Sequence, residues 1–162
     1  MDLDNPIADI EAIRELNPQR HEMEQLTSIL YEDFDHNVCA ALKIVTEDEF
    51  WVRGHMPGKP LMPGVMMLEA VAQLSGFYAV KNDLLGEGMV VGFGGVDNCR
   101  FRGIVKPGDH LILMVRLLKA RRGRLFVADF QGVVDKNIVL EGTLRGVALP
   151  SESIENTIDP DR

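Results

Sequence analysis

Residues 54–82 read GHMPGKPLMPGVMMLEAVAQLSGFYAVKN, and the second half of this stretch decides the fold. From Pro63 to Lys81, alanine, leucine and methionine supply good helix formers. A proline suits the first helical turn, where its missing N–H has no intrahelical partner to lose. Val65, Met66, Met67, Leu68, Ala70, Val71, Ala72, Leu74 and Phe77 spread over every face of such a helix. A helix that is apolar all round is buried, not laid on a surface.

Something has to surround it, and the rest of the chain is rich in strand signals. Residues 89–96, 111–118, 124–134 and 138–149 are strand candidates, broken by KPGDH, ARRGR and VDKN. Upstream, Val38 to Val45 and Phe50 to Val52 are short β-prone pieces on either side of an acidic turn at 46–49. Residues 8–16, ADIEAIREL, space Ile10, Ile13 and Leu16 as a short amphipathic helix ended by Asn17 and Pro18. Residues 20–35 fit helix or strand equally. The pattern predicts an α+β architecture, with one long buried helix among five or six antiparallel strands and a short N-terminal helix.

The chain has 162 residues, 46% apolar and 26% charged. That composition suits one domain over 1–150 with its own core, followed by a polar tail at 151–162 that is expected to be flexible. The net charge of −8 argues against nucleic acid as a partner. It hides a reversal: residues 100–124 carry eight bases against Asp109 alone, a balance of +7 that leaves −15 elsewhere. Cys39 and Cys99 lack disulfide or metal spacing, and His21, His36 and His110 form no ligand set, so no metal is expected. The N-terminus MDLDNPIADI has acids where a signal peptide needs bases, and no apolar run is long enough to span a bilayer. Cytoplasmic residence without membrane insertion is the expectation. Gly92, Gly94 and Gly95 lie within a strand pattern and form no phosphate cradle.

The chemistry concentrates in 54–73. His55 sits in a loop stiffened by Pro57, Pro60 and Pro63. Gly64 lies in the first helical turn, where backbone N–H groups are free and carry the positive end of the dipole. Glu69 is an ionisable group in an otherwise apolar helix, so it must be protonated or partnered. A base, an acid and an oxyanion-binding amide suit elimination of water next to a thioester carbonyl. Two plainer readings stay open on the residues alone: a capped core helix with Glu69 in a structural salt bridge, and a surface-loop histidine.

The segment resembles the β-hydroxyacyl-[acyl carrier protein] dehydratases of the FabZ/FabA group, which have the hotdog fold. His55, Gly58, Pro60, Met62, Pro63, Gly64, Val65 and Glu69 match the family pattern His-x-x-Gly-x-Pro-x-Met-Pro-Gly-Val-x-x-x-Glu, and Gln73 continues the match. A second block, GGVDNCRFRGIVKPGDHL at 94–111, is similar to the family's Gly-Ile-Asp…Arg-Phe…Val-x-Pro-Gly-Asp segment. Glutamate at 69, where the isomerising FabA branch has aspartate, favours the FabZ-like branch. The resemblance implies a curved antiparallel sheet wrapped around the long helix, and a homodimer or trimer of dimers. It also implies catalysis by His55 and by Glu69 of a second copy, with the Gly64 and Val65 N–H groups on the substrate carbonyl. The acyl tunnel would involve Met56, Pro57, Met62, Met66 and Phe93. No metal or organic cofactor is implied.

The chain departs from the family in three places. Met56 replaces the usual Phe after the histidine. QRHEMEQLTSI at 19–29 stands where the family has HRYPFLLVDRV, and Asn98 and Gly103 stand where Glu and Arg are usual. The clustered bases suit docking of an acidic acyl carrier protein through Arg102, Lys119, Arg121, Arg122 and Arg124, although solvated strand ends would look the same. A hotdog thioesterase and a catalytically silent subunit that binds the carrier protein are the alternatives.

Overall fold

Asp9 opens the first helix, α1 (Ile10–Leu16), by accepting a hydrogen bond from the Ala12 N–H at 3.0 Å. The computed structural model describes residues 3–152, so the tail expected to be flexible lies outside the described residues beyond Glu152. A single 3-10 turn at His21–Met23 follows α1, then strands β1 (Ser28–Asp33) and β2 (Val38–Ile44). Residues 20–35, which fitted helix or strand, therefore contain one turn of the first and a strand of the second. After a loop comes the long helix α2 (Gly64–Lys81), with Pro63 as its N-cap. The chain ends in β3 (Met89–Phe101), β4 (His110–Arg121), β5 (Leu125–Val134) and β6 (Asn137–Pro150).

The six strands form one antiparallel sheet in the order β1-β2-β4-β5-β6-β3. Its concave face receives α2, whose Met67, Ala70, Val71, Leu74 and Phe77 are buried in the core. Two predicted strands need correction. Phe50–Val52 is a turn, in which the Val52 N–H bonds to Glu49 O at 3.0 Å and Trp51 is buried. Trp51 accounts for part of its β-like composition by burial while Phe50 is exposed, and both edges of β2 are already taken by β1 and β4. β3 runs on past Val96 to Phe101, through irregularities at Phe93/Gly95 and Asp97/Arg100. Asn98 adopts φ 51° at the second of these, a bend that the strand pattern of the sequence does not show.

The curvature needed to wrap a helix depends on small residues under aromatic rings. On β6, a Cβ at Gly146 would meet the Phe126 ring at 2.2 Å, and one at Gly142 would meet Phe130 at 2.6 Å. Both phenylalanines are buried and cannot swing away. Among the described residues no helix is long and apolar enough to cross a membrane. Gly146→Ala is expected to destabilise the fold by about 1–3 kcal/mol through overpacking, read as a lower urea midpoint with an unchanged slope.

Candidate active site

The loop between β2 and α2 is held by a buried ion pair. Lys43 Nζ on β2 meets Glu49 Oε1 at 2.7 Å, with side chains only 5% and 10% exposed. From the adjacent turn, Trp51 O accepts the N–H groups of Gly54 and His55 at 3.1 and 2.8 Å. The far side of the loop closes when the Leu61 N–H bonds to His55 O, and Met62 N–H to Val105 O at 2.7 Å fastens it to the segment before β4. The His55–Met56 peptide is cis.

His55 itself is exposed, and its Nδ1 lies 2.8 Å from Leu61 O. A carbonyl only accepts, so Nδ1 carries the hydrogen and Nε2 is left as the basic nitrogen. The imidazole faces a cleft of about 450 Å³ whose other walls include Met62, Gly64, Val65, Phe101 and Ile104. The first α2 hydrogen bond is made by the Met66 N–H to Pro63 O, so the N–H groups of Gly64 and Val65 precede the ladder. A Cβ at position 64 would lie 2.7 Å from the Phe101 ring, so any larger residue there must displace that ring.

Glu69 is half-buried and lies five residues further along α2, about 7.5 Å up and roughly 140° around the axis from Gly64. It therefore faces a different space, a cavity of about 180 Å³ between α2 and β3 that Phe93, Met89 and Val91 also line. Its partner is an amide: Gln73 Nε2 donates to Glu69 Oε1 at 2.8 Å. Gln73 is tied in turn to Met23 O and to the Gln25 N–H, and its backbone carbonyl accepts from Asn17 Nδ2 at 2.9 Å. A bidentate pair of Arg14 with Glu24, at 2.6 and 2.8 Å, anchors that segment to α1. The Arg14 guanidinium holds the Glu24 carboxyl below the usual carboxylate range.

Residues 17–143 match the FabA-like domain family. The chain belongs to the FabA-like domain family. It is 39% identical over 138 residues to the 3-hydroxyacyl-[acyl-carrier-protein] dehydratase FabZ of Desulfotalea psychrophila, covering 84% of this chain and 90% of that one. It is 40% identical over 148 residues to the FabZ of Pectobacterium atrosepticum, covering 89% and 95%. Among solved structures, the dehydratase heterocomplex ApeI:P from Xenorhabdus doucetiae superposes with a TM-score of 0.73 over 91% of this chain and 97% of that one. At 14% identity, that likeness confirms the hotdog fold alone.

Within one copy of this FabA-like chain, the expected site residues fall into two halves. His55, Gly64, Val65 and Met62 share the cleft, Glu69 and Phe93 share the other cavity, and Met66 is packed in the core. Met56 and Pro57 are exposed on the loop. The cations divide as well. Lys119, Arg121, Arg122 and Arg124 cluster exposed around the β4–β5 hairpin, with Arg122 paired to Asp83 at 2.6 Å. Arg102 follows β3 at the opposite end of the sheet, where its Nε bonds to Glu141 at 2.8 Å. Strand register separates them, because Phe101 aligns through β6 and β5 with Leu113, near the start of β4, whereas Arg121 is its last residue.

Sequence reasoning missed Gln73, Asn17 and Lys43 as supports. A glutamine four residues after a glutamate on a helix is a local pairing signal, and a lone lysine inside the apolar run VCAALKI is a signal of burial with a partner. Burial pushes the Cys39 thiol up to about 12, which leaves it a packing group. Lys43→Met is expected to cost about 3–5 kcal/mol in denaturant titration, because Glu49 is left buried without its cation. The double change Lys43→Met/Glu49→Leu should recover most of that loss, since an apolar replacement of the whole pair leaves no charge unpaired.

Proposed function

We propose that this FabA-like chain is a 3-hydroxyacyl-[acyl carrier protein] dehydratase of fatty-acid synthesis, converting (3R)-3-hydroxyacyl thioesters into trans-2-enoyl thioesters and water. The observation that carries the mechanism is the 2.8 Å bond between His55 Nδ1 and Leu61 O, which assigns the proton to Nδ1 and leaves a bare Nε2 beside the free N–H groups at the start of α2. The thioester oxygen binds the Gly64 and Val65 N–H groups, which stabilise the charge it gains as the C2 proton leaves. Nε2 of His55 takes that proton, and the electron pair of the C2–H bond becomes the C2=C3 double bond. Glu69 gives its proton to the C3 hydroxyl, the C3–O bond breaks, and water departs. The enzyme is left with a protonated imidazole and a carboxylate, and proton exchange with solvent restores both.

His55 and Glu69 line different cavities of one copy, so the working unit is a homodimer in which His55 of one copy meets Glu69 of the other. An unpaired β3 edge supports this reading, as do Phe93, Phe101 and Val65 at 52%, 51% and 68% exposure beside the two half-sites. A trimer of dimers is the larger assembly that the family suggests. The acyl chain runs from the His55 cleft past Met56, Pro57 and Met62 toward Met66 and Phe93. The hairpin cations Lys119, Arg121, Arg122 and Arg124 form the docking face for an acidic carrier protein in the cytoplasm, and Arg102 stands apart from it.

In a crotonyl or 3-hydroxybutyryl thioester assay followed by enoyl absorbance, His55→Ala and Glu69→Gln are each expected to lower kcat by at least about 100-fold. Mixing the two inactive variants under subunit exchange should restore about a quarter of wild-type activity, because half the dimers are mixed and each holds one intact site. Undiminished activity in either variant overturns the roles, and no recovery on mixing overturns the shared site. Release of free thiol in place of enoyl product would point to hydrolysis instead. Arg121→Glu/Arg122→Glu is expected to lower kcat/KM for the carrier-bound substrate about 10-fold and to spare a pantetheine thioester. Equal losses on both substrates would count against docking.

A further inference from the structure

Glu69 is held by an amide whose polarity cannot be reversed. Gln73 is 3% exposed. Its Oε1 accepts the Gln25 backbone N–H at 2.8 Å, and its Nε2 donates to the Met23 carbonyl at 2.6 Å and to Glu69 Oε1 at 2.8 Å. A backbone N–H can only donate and a backbone carbonyl can only accept, so the amide has one allowed orientation. Turning it over would set an oxygen against Met23 O and an NH2 group against the Gln25 N–H, two repulsive contacts in a buried site. Gln73 therefore always shows Glu69 an N–H. The carbonyl oxygen of a carboxylic acid is a better acceptor than its hydroxyl, so this bond favours the acidic proton of Glu69 on Oε2.

We infer that Gln73 is a positioning residue that fixes the direction of the Glu69 carboxyl and favours Oε2 as the oxygen carrying its transferable proton. The inference rests on the reading of Glu69 as the acid of the dehydration. It also accounts for the divergent segment at 19–29. The atoms that lock Gln73 are main-chain atoms of Met23 and Gln25, presented by the 3-10 turn in which the Glu24 N–H bonds to His21 O at 3.0 Å. Glu24, between them, is tied to Arg14 on α1. Main-chain donors and acceptors are the same for every side chain apart from the missing N–H of proline. The segment can thus lose the family's aromatic and apolar side chains and still supply the clamp.

The test compares wild type, Gln73→Met and Gln73→Glu on one 3-hydroxyacyl thioester, with melting temperature and oligomeric state measured in parallel. Met fills similar space with no donor, while Q73E is isosteric and keeps an oxygen for the Gln25 N–H. Both are expected to lower kcat about 10- to 100-fold and to leave KM within about threefold, because the acid is misaimed and substrate contacts remain. If Q73M does not fold, the isosteric Q73E decides the matter alone. A folded variant with kcat within about threefold of wild type, or with its loss confined to KM, overturns the inference. Absence of dehydration by wild type itself would instead remove the functional reading on which the inference rests.

Discussion

The constraint from which the rest follows is the burial of α2, a helix of eighteen residues with no polar stripe to turn toward water. Such a helix needs apolar contact on most of its circumference, and a flat sheet offers only one side. The six strands supply the wrapping by curling, which requires the backbone of β6 to pass directly beneath the rings of Phe126 and Phe130. Glycines at 142 and 146 make that approach possible. At the helix start Gly64 lies close beneath the ring of Phe101 of β3.

Burial also sets the terms for the polar groups on α2. Glu69 is its only carboxylate, and Gln73 is a nearly inaccessible amide. Polar groups in such surroundings must find partners, and here Gln73 finds its own in the chain segment that covers the helix. The segment after α1 offers main-chain atoms to Gln73, and Gln73 passes one hydrogen bond on to Glu69. On the other side of the helix, the loop that carries His55 is braced by the Lys43–Glu49 pair and by its own main-chain bonds. The proposed base and the proposed acid are thus each held by a support of their own, which is the condition under which acid–base groups accelerate a reaction.

Those two supports open onto different cavities, since Glu69 lies five residues along α2 from Gly64. One copy therefore presents two proposed half-sites beside an edge strand that is paired on one side only among the described residues and carries the exposed Phe93 and Phe101. The proposed dimer turns this arrangement into two complete sites per pair. The same surface then closes a sheet edge, buries aromatic area and brings base to acid.

The sequence alone determined the buried helix, the α+β class, four of the six strands within a few residues and a fifth over most of its length, and it marked His55 and Glu69 as the candidate base and acid. Each of these is written in local patterns: apolar residues on all faces, strand runs between turn signals, and a motif within twenty residues. Only the tertiary structure decided that Phe50–Val52 is a turn, because whether an apolar run pairs as a strand depends on which sheet edges are free. It likewise carried β3 through its bend at Asn98 to Phe101, parted Arg102 from the hairpin cations, and joined Gln73 to Met23 and Gln25 across some fifty positions. These are contacts between distant segments made through backbone atoms, which every residue type shares, so no side-chain pattern records them.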